Sequence, residues 1–126
     1  MPPKFLLAAL SLIPIAATPA APGDTLLAGR TAEAPRSCIP VYSASESTIR
    51  GDGTIVFRTR LSGRGPRYVN APRGCNGLEP GRAISGIHPT GQLCSGDIIS
   101  VSEPQTGFTF GSCALGDFTP YVKPRR

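Results

Sequence analysis

The chain has 126 residues, a formal net charge of +5 from 13 basic against 8 acidic side chains, four cysteines, one histidine and no tryptophan. That is room for one small domain. With 15 Gly and 14 Pro, nearly a quarter of the residues oppose regular helix, which excludes a helical bundle, a coiled coil or a long βαβ enzyme.

Residues 1–20 carry one charge, Lys4, then an uncharged stretch over residues 5–17, then Thr18-Pro19-Ala20. A basic start, a short apolar run and small residues at its end form a secretory signal peptide, cleaved near Ala20. The run is 13 residues long and interrupted by Pro14. A bilayer-spanning helix needs about twenty apolar residues, so no membrane span is expected. The first cysteine after it is Cys38, which argues against a lipid-modified N-terminus. Cleavage leaves 106 residues with a net charge of +4.

Residues 21–37 are small and polar, with Pro22, Gly23, Gly29 and Pro35, and read as a disordered or loosely attached arm. A single β-domain is expected over 38–122. Its longest run free of Gly and Pro, residues 41–50, is rich in Ser, Thr and β-branched residues and favours strand or turn. Arg50-Gly51-Asp52-Gly53 reads as a tight hairpin turn. Residues 54–61 alternate, with Ile55, Phe57, Thr59 and Leu61 on one side and Val56, Arg58 and Arg60 on the other, the period of a half-buried strand. Further strands are expected at 66–70, at 97–102 with Ile99 and Val101 on one face, and at 108–110 and 114–122. Residues 75–81 are expected to hold one helical turn, and 123–126 form a basic tail, Lys123-Pro124-Arg125-Arg126. Short strands with turn signals between them predict an all-β fold, a small disulfide-stapled β-barrel or roll of about five to six short strands with little or no helix.

Seven aromatics in the mature chain make a thin core, so staples are expected. Four cysteines in an exported chain predict two disulfides. Their spacings of 37, 19 and 19 residues contain no C-x-x-C pair, the clip expected of a zinc or redox site, so no metal is expected. Of the three connectivities, Cys38 with Cys113 and Cys75 with Cys94 is favoured, because the first pair ties the start of the domain to its end.

An ordered set of short pieces runs through the domain: Cys38-Ile39-Pro40, Thr54-Ile55-Val56-Phe57, Tyr68-Val69-Asn70, Cys75 with Leu78, Leu93-Cys94 with Asp97-Ile98 and Val101, and Cys113 with Leu115-Gly116 and Phe118. Together they resemble a family of small exported proteins of proteobacteria, the sphingomonads and their relatives, known as a domain of unknown function. Two positions depart from that family's pattern: Ala71, where a larger aliphatic is usual, and the stretch of Ile84 and Ile87, which is often aromatic. The resemblance implies an exported domain and carries no activity.

His88, the single histidine, lies in Gly86-Ile87-His88-Pro89. A dyad with Asp97 would allow general acid–base chemistry. No serine sits in a nucleophile-elbow motif, however, and Asp97 and Asp117 read better as turn-closing residues beside their cysteines. No phosphate-binding glycine loop with its lysine is present. The most suggestive feature is arginine: Arg58 and Arg60 share a strand face, and Arg64 and Arg67 follow within one turn with Arg73 close behind. A solvated outer face is the favoured explanation of such a pattern, and an anion-binding face is the alternative, because guanidinium forks match phosphate and carboxylate. The export signal and the absence of interleaved aromatics argue against nucleic acid.

These features support an exported, periplasmic or secreted, non-enzymatic β-domain with an envelope-associated binding or structural role and no cofactor. The alternatives are a protein-binding or inhibitor module, and a small hydrolase using His88 and a carboxylate. Expected partners are an anionic envelope polymer or lipid headgroup, or another periplasmic protein. Protein recovered from the producing cell should begin at or near Ala21 and lie outside the cytoplasm; intact Met1 in the cytoplasm, read by N-terminal sequencing, would contradict this.

Overall fold

The computed structural model describes residues 25–60, 63–86 and 91–124. The segment 1–20 expected to be a signal peptide, His88 and the last two residues of the basic tail lie outside the described residues. The fold is all-β, as expected, but it has ten strands among the described residues and they do not close into a barrel. The strands are β1 Thr31–Ala32, β2 Cys38–Pro40, β3 Glu46–Ile49, β4 Ile55–Arg58, β5 Arg67–Asn70, β6 Ala83–Ser85, β7 Gln92–Cys94, β8 Ile98–Ser102, β9 Thr109–Ala114 and β10 Phe118–Val122. They form a five-stranded sheet in the order β1-β10-β5-β4-β3, a β2-β7 ribbon and a three-stranded sheet β6-β8-β9, all antiparallel.

The β3–β4 hairpin forms where the sequence predicts it. Asp52 Oδ1 accepts the Thr54 N–H at 3.0 Å and the Thr54 hydroxyl at 2.6 Å, and Gly53 turns the chain at φ +84°. The Thr54 hydroxyl is the main reason the Asp52 carboxyl lies below its ordinary pKa. The helical turn expected at 75–81 is absent; the only helical turn among the described residues is a 3-10 turn at Val41–Ala44.

The start of the domain is also more ordered than its composition predicts. β1 pairs with β10, and Arg36 exchanges both backbone hydrogen bonds with Phe118 at 2.8 Å, so much of the expected loose arm belongs to the sheet. Between these pairings Glu33 N–H donates to Pro120 O, but Pro120 has no N–H to return, and β1 ends at Ala32.

One face of the large sheet carries Ile55, Phe57, Tyr68 and Phe118 into a core completed by Ile39 and Leu93 from the ribbon and by Ile99, Val101 and Cys113 from the small sheet. The rings of Phe57 and Phe118 meet at 5.8 Å. Asn70 is fully buried in this core. Its amide is satisfied by one backbone: Nδ2 donates to Gly116 O at 2.8 Å and Oδ1 accepts Gly116 N–H at 2.9 Å. A Cβ on Gly116 would lie 2.9 Å from Ala71 O, so only glycine fits there.

The disulfides are Cys38–Cys94 and Cys75–Cys113, which corrects the connectivity favoured from sequence. Cys38 and Cys94 are direct cross-strand partners in the β2–β7 ribbon. The Ser37–Ser95 and Val41–Gly91 hydrogen bonds in the same register place them at a non-hydrogen-bonded pair, where strands bring side chains closest. Cys75 reaches Cys113 because Arg73 bridges Ala114. The domain's ends do meet, as expected, but hydrogen bonds of β1 and Arg36 to β10 join them rather than sulfur.

Peptide mapping without reduction should therefore find Cys38 linked to Cys94 and Cys75 to Cys113. Asn70→Ala should lower unfolding free energy by about 2–4 kcal/mol, since it strands two Gly116 backbone groups, as read from the urea midpoint.

Candidate functional site

Pairing across the large sheet assembles a row of charge on the face opposite the core. Glu46 on β3 is the register partner of Arg58 on β4, and Arg67 on β5 is the partner of Tyr121 on β10. The β4–β5 register pairs Val56 with Val69 and Phe57 with Tyr68 and ends there, with Arg58 and Arg67 the next residues along the two strands. The row thus reads Glu46, Arg58, Arg67, Tyr121. Like charges on adjacent strands repel, so this arrangement costs stability unless something compensates.

Part of that compensation is Glu46. Its Oε2 lies 2.9 Å from Arg58 Nε and its Oε1 lies 3.4 Å from Arg60 Nε, so one carboxylate spans two guanidiniums. The shorter contact is an ion pair rather than a hydrogen bond, because the buried Arg58 Nε has no hydrogen-bond partner. The side chains of Arg58 and Arg60 are 36% and 72% exposed, so the pair is solvent-screened.

The loop after β4 completes the site. An open depression of about 280 Å³ is lined by Glu46, Arg58, Thr59, Arg60, Gly63 and Arg67. Arg67 is fixed through Nη1, which donates to Leu26 O. Beside it Arg30 donates to Gly63 O at 2.9 Å, Gly65 O at 2.8 Å and Tyr121 O at 3.2 Å, so it clamps the loop to β10. Burial first, and then the positive charge of Arg67, lower the Arg30 pKa, although a guanidinium stays charged at neutral pH.

Of the four arginines singled out in the sequence, Arg58, Arg60 and Arg67 converge on this depression, while Arg64 is exposed and does not line it. The expectation that Arg58 shares a fully solvated face needs correction. Val56, on the same side of β4, is completely buried between its partners Thr48 and Val69, and Arg58 is half-buried. Glu46 was missed, although reflection of Arg58 through the hairpin centre at Asp52 points to it. Arg30 carries no local signal, since its partners lie 33 to 91 residues away.

Two other depressions differ in character. A cavity of about 160 Å³ where the three sheets meet is walled by Val41, Ala44, Phe57, Ile84, Leu93 and Ile99, with serines at its rim. A shallower one of about 520 Å³ is lined by Ser85, Gly86, Asp97, Ile98 and Ser100. Asp97 is a turn residue there: its Oδ2 accepts Cys94 N–H at 2.7 Å, as its sequence context suggests. Its supposed partner His88 lies outside the described residues. No protein-family model, no curated protein and no solved structure matches the chain.

Proposed function

We propose that this protein is an exported, non-enzymatic binding domain that engages an anionic constituent of the cell envelope, a lipid headgroup or acidic polymer, through the depression formed by Arg58, Arg60 and Arg67. The observation that carries this reading is three arginines and one glutamate lining one depression, with Arg58 and Arg67 next in line on neighbouring strands. An external anion relieves the repulsion that Glu46 leaves uncompensated. Two disulfides suit an oxidising compartment, which supports export to the periplasm or medium. The resemblance to exported proteobacterial proteins belongs to the same reading and adds no activity to it.

A protein-binding or inhibitor module is the second reading, favoured by the exposed side chains of Tyr42, Ile98 and Phe108. Single apolar residues on a surface are ordinary, whereas adjacent like charges have a cost, so the arginine site carries more weight.

Exposed guanidinium contacts contribute only about 0.2–1 kcal/mol each, so binding should be weak and sensitive to salt. Wild-type protein should co-sediment with anionic liposomes at low ionic strength and be released as salt approaches about 1 M. The Arg58→Ser/Arg60→Ser protein should stay in the supernatant while keeping its far-ultraviolet circular dichroism. Equal sedimentation of both proteins at low salt would reduce this face to ordinary solvated surface.

A further inference from the structure

The anion-binding reading can be taken one step further in ligand chemistry. Resting on that reading, we propose that the depression lined by Arg58, Arg60 and Arg67 is selective for a phosphomonoester over a phosphodiester or a carboxylate.

Three guanidiniums and one carboxylate line the depression, which leaves two positive charges uncompensated. A phosphomonoester carries about −1.5 to −2 at pH 7, whereas a diester or carboxylate carries a single negative charge. Only the former neutralises the site. Arg30, clamped beside Arg67, adds to the positive potential without occupying the depression.

Donor geometry points the same way. Glu46 lies against Nε of Arg58 and Nε of Arg60 as ion pairs, and neither guanidinium donates a hydrogen bond to protein among the described residues. Arg67 spends Nη1 on Leu26 O and lines the depression with the rest of its side chain not hydrogen-bonded to protein among the described residues. Three guanidiniums with donors not committed to protein acceptors thus line one depression. A phosphomonoester presents three terminal oxygens, one for each, and a carboxylate or diester presents two. Glu46 already stands in for a single carboxylate, and the repulsive neighbour pair Arg58 and Arg67 persists in its presence.

The test is a side-chain NMR titration of the mature protein at low salt, following the arginine Nε–H resonances, with glycerol 3-phosphate, dimethyl phosphate and acetate as probes. At pH 7.5 glycerol 3-phosphate should bind at least about tenfold more tightly than the other two. That advantage should shrink as pH falls to about 5.5, because the second phosphate pKa is about 6. Among the described residues, the charged groups lining the depression, Glu46, Arg58, Arg60 and Arg67, and the neighbouring Arg30 include no histidine, so His88→Gln should titrate like wild type. Arg67→Gln should bring glycerol 3-phosphate down to the level of the diester, whereas Arg73→Gln, an exposed arginine outside the depression, should change nothing. Because Arg67 also anchors Leu26, Arg60→Gln provides a second variant at a more exposed position, expected to weaken glycerol 3-phosphate several-fold.

Vesicles containing phosphatidic acid or phosphatidylglycerol at matched charge identify the source. Preferential sedimentation with phosphatidic acid supports a headgroup, and binding of glycerol 3-phosphate with neither vesicle supports a soluble phosphomonoester. Equal affinity for monoester and diester, or a pH response abolished by His88→Gln, would overturn the selectivity and leave general anion binding intact. No response to any anion would overturn both.

Discussion

Where the chain leaves β9 and enters β10, its backbone has to be satisfied by two sheets at once. Ala114 pairs with Arg73, Leu115 exchanges hydrogen bonds with Asp97 and Gly96, and Phe118 pairs with Arg36 and Asn70. Gly116, in the middle, has no strand partner, and the buried Asn70 side chain takes both its donor and its acceptor. An orphaned backbone group in such a place costs about 1–3 kcal/mol, so the junction is stable only with an amide at 70 and no side chain at 116. The packing of Phe118 on Phe57 and the seating of Cys113 in the core both follow from this crossing.

The disulfides reinforce the same junction from two sides. Cys38–Cys94 closes a 56-residue span and Cys75–Cys113 a 38-residue span, and the two spans interleave along the chain. Each closure taken alone removes about 4 kcal/mol of unfolded-chain entropy, and interleaving prevents simple addition, because the second acts on a chain already shortened by the first. For a domain whose core is a dozen side chains, terms of this size rival the whole net stability. The short strands and the Pro120 gap in the β1 pairing are tolerated on that account.

A frame held so firmly can carry repulsion on its surface. The register that buries Ile55 and Phe57 on one face leaves no choice about the other: Arg58 stands between Glu46 and Arg67 whatever the electrostatic cost. Arg30 adds a further cation, held by three carbonyls rather than by a carboxylate. A chain selected for stability alone would place acids opposite these arginines. The excess of guanidinium at one depression is therefore the feature of this fold on which the proposed anion binding rests.

Local sequence determined those features whose cause is local. The alternation of Ile55, Val56, Phe57 and Arg58 produced β4, Ile99 and Val101 fixed the inward face of β8, and Arg50-Gly51-Asp52-Gly53 fixed the hairpin. The even cysteine count foretold two disulfides. Four strands escaped notice, β1, β2, β6 and β7, because two or three residues are too few to show a period and Pro40 hides the last position of β2. The cysteine pairing escaped because it depends on which strands become neighbours, and spacing along the chain does not encode adjacency across a ribbon. The burial of Val56 and the convergence of Arg30 with Arg67 were likewise decided by tertiary structure. Periodicity states which residues share a face, but only the packed fold states what covers that face and which distant carbonyls turn a guanidinium toward it.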